Sequence, residues 1–378
     1  MKKIWVIFIM ILSISISINC SEEGHTAIIG KYKTLPSKIL GEEFTYFIHL
    51  PSDYEKSLKK YPVLYVMNTH MASTAALAFA TLDRLSSEMI PEMILVGISN
   101  TGAASAYMPV NAKGETGDAL HFIEFLANEL IPYIDRYYRT ENFRILYGQS
   151  NTGLFTVYVL LTEPGLFNAY IAASPSLGWC LDFMKAKVKE TFSNNRTGFN
   201  DKFLYMNYGG KDIQWLVNAP LLDFYEFLED SAPIELNLFL ETLPKDGHVP
   251  VSSLNNGLLS LFPDFFATDD LRAQGFEIVD RHFAALSNRY GFPLQAPEEV
   301  IFNMCYTPMR NKNYSEAIEL FKILLERYPT SIRGHFFLGE AYRGQGLEKQ
   351  AVMMYKKCLK LDPGYERAKL RLEFLQKK

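Results

Sequence analysis

The sequence has few cysteines, and none of them stands in a pattern that binds metal. Four cysteines occur in 378 residues, without a Cys-x-x-Cys pair or a Cys/His spacing of the kind found in zinc sites. Cys305 and Cys358 lie in text with helical periodicity, which predicts buried structural thiols. With so few cysteines a disulfide framework is not expected. We therefore predict no metal site, and nothing in the sequence calls for a cofactor.

The sequence also lacks a block of basic residues. It has 38 Lys and Arg against 42 Asp and Glu, a formal net charge of -4, with no cluster of either sign. A nucleic-acid surface needs clustered Lys and Arg to neutralise phosphates, so we predict no nucleic-acid partner. Hydrophobic residues make up 48% of the chain, which is enough for one large domain and a small one.

The N-terminal segment has the pattern of an export signal. Two lysines precede an apolar run over residues 4–18, which is shorter than the ~20 residues of a membrane-spanning helix. We interpret residues 1–20 as a signal peptide. Its end, SISINC, resembles bacterial lipoprotein signals, in which the cysteine is lipidated after cleavage, although Asn19 replaces the usual small residue. We predict an exported lipoprotein, anchored to a membrane through Cys20 on the periplasmic or cell-surface face; ordinary secretion and an uncleaved anchor are the alternatives.

Seven stretches have the apolar pattern of β-strands. Those at 61–68, 92–99 and 143–148 are apolar at both odd and even positions, which is typical of a sheet that is covered on both faces. Segments with helical periodicity alternate with the predicted strands, which indicates a mostly parallel sheet. We therefore predict an α/β domain over residues 30–265. The remaining four stretches are 44–51, 167–174, 202–209 and 235–242.

The end of the chain is helical and contains an internal repeat. Residues 266–296 form a predicted helical connector, and residues 297–378 resemble the tetratricopeptide repeat. Three pairs of similar residues lie 34 positions apart: Ala317 and Ala351, Phe321 and Tyr355, Pro329 and Pro363. The first helix of the first copy, around 304–308, is degenerate. We predict a small all-α appendage that offers a surface for a protein partner; a generic helical hairpin is the alternative.

A turn between a predicted strand and a predicted helix contains the strongest catalytic signal. The stretch RILYGQSNTGLFTVYVLL (144–161) places Gly148 and Ser150 at the end of an apolar strand, directly before a helix. This arrangement fits either a plain strand–turn–helix joint or a nucleophile elbow, whose pattern is G-x-S-x-G. Thr152 occupies the position of the later glycine, and Gly153 follows it.

A catalytic serine needs a base and an acid, and position selects among the candidates. His248 lies in a loop between the last predicted strand and a helix, where a base belongs in chains with the order serine, acid, histidine. Asp212 follows a Gly-Gly turn after the preceding strand and is the matching acid. Asp246 is the alternative, but it is only two residues from the histidine. His70 follows the strand at 61–68, where an oxyanion loop belongs.

At these residues the sequence resembles the secreted esterases that include the enterochelin and feruloyl esterases and the esterase-D-like hydrolases. The resemblance covers about residues 30–265, and its motifs are YPVLYVMN, FLANELIPYIDRYYRT, RILYGQSNTGLFTVYVLLTEPGLFNAYIAASPSLGW and the GH…GLLSLF close. It implies an α/β-hydrolase fold with Ser150 as nucleophile, His248 as base and Asp212 as acid.

The sequence departs from this family at three places around the expected pocket. Gln149 and Thr152 stand within the usual G-H-S-x-G-G elbow, and Gly178-Trp179 replaces two tryptophans. The stretch NTGAASAYMP replaces a loop that usually contains Arg and Asp. Because these changes surround the pocket, the resemblance does not identify the substrate.

The expected function is that of a serine esterase. The backbone N–H of Asn151, with that of Thr69 or His70, would bind the oxyanion while Ser150 attacks a small-molecule carboxylic ester. The alternative is a hydrolase-fold lipoprotein that no longer turns over substrate and acts as a binding or assembly module. The preserved order of serine, acid and histidine favours the enzyme, whereas Thr152 and the altered loops favour the alternative.

Overall fold

The computed structural model describes residues 15–19, 26–86, 88–99, 104–110 and 117–376. The chain divides into two compact units, the first ending at Pro263 and the second starting at Asp264, with residues 87–91 grouped with the second. Cys20, the predicted lipidation site, lies outside the described residues, as does most of the predicted signal peptide. Among the helices that the structure describes, none has the length and apolar character needed to cross a membrane.

The first unit is built on one sheet, which has nine strands in the described part of the chain. Their spatial order is β1-β2-β3-β5-β4-β6-β7-β8-β9. The strands are β1 (Ser15–Asn19), β2 (Thr26–Pro36), β3 (Glu43–His49), β4 (Tyr61–Met67), β5 (Ile94–Ser99), β6 (Thr140–Gln149), β7 (Ala169–Ala173), β8 (Phe203–Gly209) and β9 (Asn237–Leu243).

The sheet is mostly parallel. From β5 through β4 and β6 to β9 each strand runs parallel to its neighbour. Three neighbouring pairs are antiparallel: β1 with β2, β2 with β3, and β3 with β5. Because parallel strands end at the same edge, the loops after β4, β6, β7 and β8 meet on one side of the sheet, where ligands bind in α/β folds.

Helices cover both faces of this sheet. They are α1 (Ala72–Leu85), α2 (Ala119–Phe125), which continues through a π-helical turn (Leu126–Leu130) into α3 (Ile131–Tyr137), α4 (Asn151–Thr162), α5 (Leu181–Asn194), α6 (Ala219–Ser231), preceded by a π-helical turn (Gln214–Asn218), and α7 (Ser253–Leu261). In β7, Tyr170 and Ala172 belong to the large core formed with α2 to α6, whereas Ile171 lies under Gly257 of α7. Burial on alternate faces explains why the central strands are apolar at every position.

The described secondary-structure elements of the second unit from Asp264 onward are all helices. Its helices are α8 (Asp269–Ala273), α9 (Phe276–Tyr290), α10 (Glu298–Arg310), α11 (Tyr314–Arg327), α12 (Ile332–Gly344), α13 (Glu348–Leu361) and α14 (Glu366–Gln376). From α10 onward each helix packs on the next. The connector helix α9 belongs to the same unit, and both guanidinium nitrogens of Arg327 bind the Asp280 carboxylate at 2.7 and 2.8 Å.

The predicted tetratricopeptide-like repeat fits this helical tail. The paired positions Ala317 and Ala351, and Phe321 and Tyr355, are fully buried. Gly339 lets α12 approach α13, since a Cβ there would lie 2.6 Å from the Tyr355 ring. The degenerate sequence around 304–308 nevertheless forms a regular helix, α10, because its apolar residues are buried at helical spacing despite the internal proline.

Candidate active site

Ser150 occupies a strained turn between β6 and α4. Its backbone has φ 55° and ψ -121°, a left-handed conformation that few residues other than glycine adopt. The surrounding hydrogen bonds hold this conformation: the Ser150 N–H donates to Ala173 O at 2.9 Å, and Ser150 O accepts from Leu154 N–H at 3.0 Å. Of the two interpretations of this turn, the geometry is that of a nucleophile elbow, which exposes the hydroxyl above the edge of the sheet.

The two glycines of the elbow stand where the backbone is crowded. A Cβ on Gly148 would lie 2.1 Å from Thr152 O, so any side chain would displace the turn. On the other side, a Cβ on Gly153 would lie 3.0 Å from Ala173 O. The close approach of α4 to β7 is therefore made at Gly153, and this explains how Thr152 is accommodated where the usual pattern has glycine.

His248 joins Ser150 to Asp212 by hydrogen bonds. Its Nε2 lies 2.9 Å from Ser150 Oγ, and its Nδ1 lies 2.7 Å from Asp212 Oδ1. The serine follows β6, the aspartate follows β8 and the histidine follows β9, so three separate loops bring the three side chains together. The structure thus unites the serine, base and acid that position in the sequence selected.

The Asp212 side chain lies in the interior of the protein. It is fully buried, whereas that of His248 is 33% exposed. Its Oδ1 also accepts the backbone N–H of Ile213 at 2.7 Å, while Oδ2 has no hydrogen-bond partner among the described residues. The alternative acid, Asp246, is exposed, and its backbone carbonyl binds Lys211 N–H instead.

The histidine loop is held by hydroxyl groups. Val249, next to the histidine, has φ 55° and donates its N–H to the buried Ser174 Oγ at 3.0 Å. Ser253, the first residue of α7, donates its hydroxyl to Pro250 O at 2.7 Å. These two bonds fix the backbone on the C-terminal side of the histidine and so restrict the position of its ring.

Two backbone N–H groups beside Ser150 are available to an anion. Asn151 N–H, at the start of α4, and His70 N–H, in the loop after β4, make no hydrogen bond within the described residues. The first N–H groups of a helix are unsatisfied and carry its positive dipole end, which suits an oxyanion. The prediction for Thr69 needs correction, because its N–H donates to Ile98 O at 3.2 Å. Of the two loop residues predicted, His70 has the free donor.

An aromatic pair flanks the serine. The Trp179 and Trp215 rings are perpendicular, with centroids 5.6 Å apart, and are 51% and 63% exposed. Trp179 Nε1 donates to Asn151 Oδ1 at 3.2 Å, so the pair adjoins the elbow. Sequence reasoning missed Trp215, although its position three residues after Asp212 was a signal. It also missed Ser176, whose hydroxyl lies 3.2 Å from Ser150 Oγ.

The described residues contain no group of three or more His, Cys, Asp or Glu side chains arranged to hold a metal ion. The three described cysteines, Cys180, Cys305 and Cys358, are free and buried. Burial raises the pKa of each thiol to about 12, so they remain protonated near neutral pH. The prediction that Cys305 and Cys358 are buried thiols is confirmed.

Comparison with known proteins points to one family. Residues 37–220, just under half of the chain, match the Esterase family model, described as "Putative esterase". The ferri-bacillibactin esterase BesA of Bacillus subtilis is 40% identical over 87 residues, which cover 22% of this chain and 30% of the relative. The chain therefore spans less than a third of the length of that curated relative.

Solved structures share the fold over a larger part of the chain. An IroE-like serine hydrolase from Shewanella oneidensis is 26% identical, with a TM-score of 0.62 over 79% of this chain and 99% of its own. An uncharacterised protein from Capnocytophaga ochracea, 17% identical, has a TM-score of 0.60 over 92% of this chain and 99% of its own, and supports the fold alone. Through residues 37–220 the chain is therefore similar to the Esterase family, and it has the α/β-hydrolase fold.

Proposed function

We propose that this protein hydrolyses carboxylic esters through an acyl-enzyme on Ser150. One observation carries the proposal: the Ser150 hydroxyl, the His248 ring and the buried Asp212 carboxylate form a continuous hydrogen-bonded chain at a strained elbow. A serine hydroxyl is a weak nucleophile until an adjacent base accepts its proton, and a third group must orient that base. The Esterase family match and the similarity to a serine hydrolase support the same activity.

The reaction proceeds in two similar halves. His248 Nε2 takes the proton as Ser150 Oγ attacks the ester carbonyl, and the same nitrogen then protonates the departing alcohol. Water, activated by the same ring, attacks the acyl-enzyme and releases the acid. Asp212 accepts from Nδ1–H, keeps Nε2 free to accept the proton and stabilises the imidazolium.

The oxyanion of each tetrahedral intermediate binds the Asn151 and His70 N–H groups. Removing one such donor costs ~10²–10³ in rate in enzymes of this kind. Both donors are backbone groups with no hydrogen bond inside the described residues, so they keep their full capacity for the developing charge. The dipole of α4 also stabilises negative charge that develops beside the Asn151 N–H.

The substrates we propose are esters of modest size, with iron-chelator esters among them. The Bacillus subtilis relative is by its name an esterase of ferri-bacillibactin. In this chain the exposed Trp179 and Trp215 rings lie beside the serine and can stack on a planar part of a substrate.

Fluorophosphonate labelling tests this function without a guess about the natural ester. We expect the probe to label Ser150 in the wild-type protein, and Ser150→Ala to abolish both the label and hydrolysis of p-nitrophenyl butyrate. His248→Ala should lose nearly as much activity. A wild-type protein that takes no label and hydrolyses no short ester would contradict the enzyme and favour the inactive binding module.

We further propose that the protein is exported and anchored through Cys20. The apolar run at 4–18 and the SISINC sequence support this location. Several acyl chains hold a protein stably on a membrane, whereas one chain binds only marginally. Cys20→Ala should release the protein from the membrane fraction with its specific activity unchanged. Failure of the wild-type protein to incorporate labelled palmitate would refute the anchor.

A further inference from the structure

Thr152 makes hydrogen bonds that a glycine at this elbow position cannot make. Its side chain is 2% exposed, and its hydroxyl donates to Gln149 O at 2.8 Å. The same oxygen accepts Gln149 N–H at 2.9 Å and the Asn68 side-chain amide at 3.1 Å. A hydroxyl has one donor and two acceptor sites, so every site is used. Such saturation in a buried position gives the hydroxyl a fixed orientation.

The partner amide belongs to the loop that carries the oxyanion donor. Asn68 directly follows β4, has φ 63° and begins a turn in which Met71 N–H donates to its carbonyl at 3.2 Å. His70, whose N–H is free, lies inside this turn. The Asn68 side chain therefore determines where the turn starts relative to the elbow.

The same loop is fixed independently to β5 and, through Tyr32, to β2. Besides the backbone bond of Thr69 to Ile98, its hydroxyl lies 3.0 Å from Ser99 Oγ, and its carbonyl accepts from Tyr32 OH at 2.6 Å. These contacts hold Thr69 against the sheet edge, but they do not connect the loop to α4. The Asn68–Thr152 bond makes that connection.

We propose that Thr152 is a positioning residue for the oxyanion hole. It ties the loop that presents His70 N–H to the elbow that presents Asn151 N–H, and so sets the separation of the two donors. The proposal rests on the proposed esterase function and assigns a role to a residue of this chain that stands where the elbow pattern has glycine. Because an oxyanion donor acts only on the charge that develops in the transition state, its displacement lowers kcat and leaves KM nearly unchanged.

The test uses substitutions on both sides of the bond. Thr152→Val keeps the shape and removes the hydroxyl, whereas Thr152→Ser keeps the hydroxyl and serves as the matched control. Asn68→Gly removes the amide at a residue whose positive φ glycine tolerates. Turnover of p-nitrophenyl butyrate is expressed per serine titrated with a fluorophosphonate, so that unfolded protein does not count.

We expect Thr152→Val and Asn68→Gly each to lower kcat ~10- to 100-fold, a part of the ~10²–10³ that a fully lost donor costs. KM and the pH midpoint of kcat should stay as in the wild type, and Thr152→Ser should retain most activity. Affinity for a trifluoromethyl ketone, which forms a tetrahedral adduct, should fall in parallel with kcat. The double variant should be no worse than either single one, because both remove the same bond.

An active wild type whose Thr152→Val variant keeps its kcat and its affinity for the ketone would overturn the proposal. So would a Thr152→Ser variant as impaired as Thr152→Val, since a retained hydroxyl would then give no protection and the loss would come from altered packing at residue 152. A wild type without label or ester hydrolysis would refute the proposed function, and this proposal with it; the two failures are therefore distinguishable.

Discussion

Replacing Asp212 by asparagine removes the negative charge beside His248, the proposed base, and hardly changes the size of the side chain. The imidazolium of His248 forms 2.7 Å from Asp212 Oδ1. Two unit charges ~4 Å apart attract by about 4 kcal/mol at an effective dielectric of ~20. The His248 side chain is 33% exposed, and screening by solvent reduces the benefit to roughly 2–3 kcal/mol, which corresponds to about a 30- to 150-fold loss in rate.

The asparagine amide can adopt either of two orientations, and each has a cost. With its oxygen toward Ile213 N–H and His248, the tautomer survives, but the NH₂ group occupies the buried site of Oδ2, which has no partner among the described residues. A buried unsatisfied donor costs ~1–3 kcal/mol of stability. With its nitrogen toward His248 it fixes the wrong tautomer, which in the serine-protease triad costs ~10⁴ in kcat.

We therefore expect kcat/KM on p-nitrophenyl butyrate to fall between ~30-fold and ~10⁴-fold in Asp212→Asn, less than in Ser150→Ala. Asp246→Asn is the matched control, since Asp246 is exposed and only two residues from His248. It should stay within about twofold of the wild type. An Asp212→Asn enzyme within threefold of wild type, or an equal loss in Asp246→Asn, would refute the assignment of the acid.

Three other outcomes follow from buried groups. Ser174→Ala leaves the N–H of Val249 without its hydroxyl partner and should lower kcat roughly 5-fold, in keeping with about 1 kcal/mol for one hydrogen bond. Unchanged ester turnover would show that the bond does not position the histidine. Phe321→Ala removes a fully buried ring that packs against Phe302 and Phe337, and should lower the free energy of unfolding of the second unit by ~3–5 kcal/mol. Urea unfolding followed by circular dichroism measures this loss, and a value below 1 kcal/mol would contradict the packing. Because burial raises their pKa to about 12, Cys180, Cys305 and Cys358 should resist iodoacetamide at pH 8 until urea is added, and peptide mass spectrometry would reveal any early modification.

The sequence predicts the strands from β3 to β9 and misses β1 and β2 at one edge of the sheet. Each of the seven apolar stretches contains or overlaps one strand from β3 to β9. β2 (Thr26–Pro36) is not predicted because its apolar pattern is interrupted. The exposed Lys31 and Lys33 lie on the same side of the strand as the buried Ile29 and Leu35. β9, at the other edge, keeps its alternation, with Leu238 and Leu240 half-buried on one side, and the sequence predicts it.

Some residues of the site can be predicted from the local sequence, whereas the roles of others depend on contacts with distant parts of the chain. Ser150, His248 and Asp212 could be selected because each follows a strand in a loop, which is visible in the sequence. The sequence does not reveal whether Thr69 or His70 has the free N–H. That depends on a hydrogen bond from Thr69 N–H to the carbonyl of Ile98, which lies on another strand. The role of the Thr152 hydroxyl likewise depends on Asn68, 84 residues away.

The two tryptophans beside the serine give this protein a built-in optical signal. The chain has three tryptophans, and the third, Trp5, lies in the predicted signal peptide. In protein produced without residues 1–20, all tryptophan fluorescence comes from Trp179 and Trp215, whose rings are half exposed with centroids 5.6 Å apart. A compound that settles over them displaces water from both indoles and shifts their emission to shorter wavelength. Occupancy of the esterase site can thus be followed in unlabelled protein, including with compounds that are bound but not cleaved.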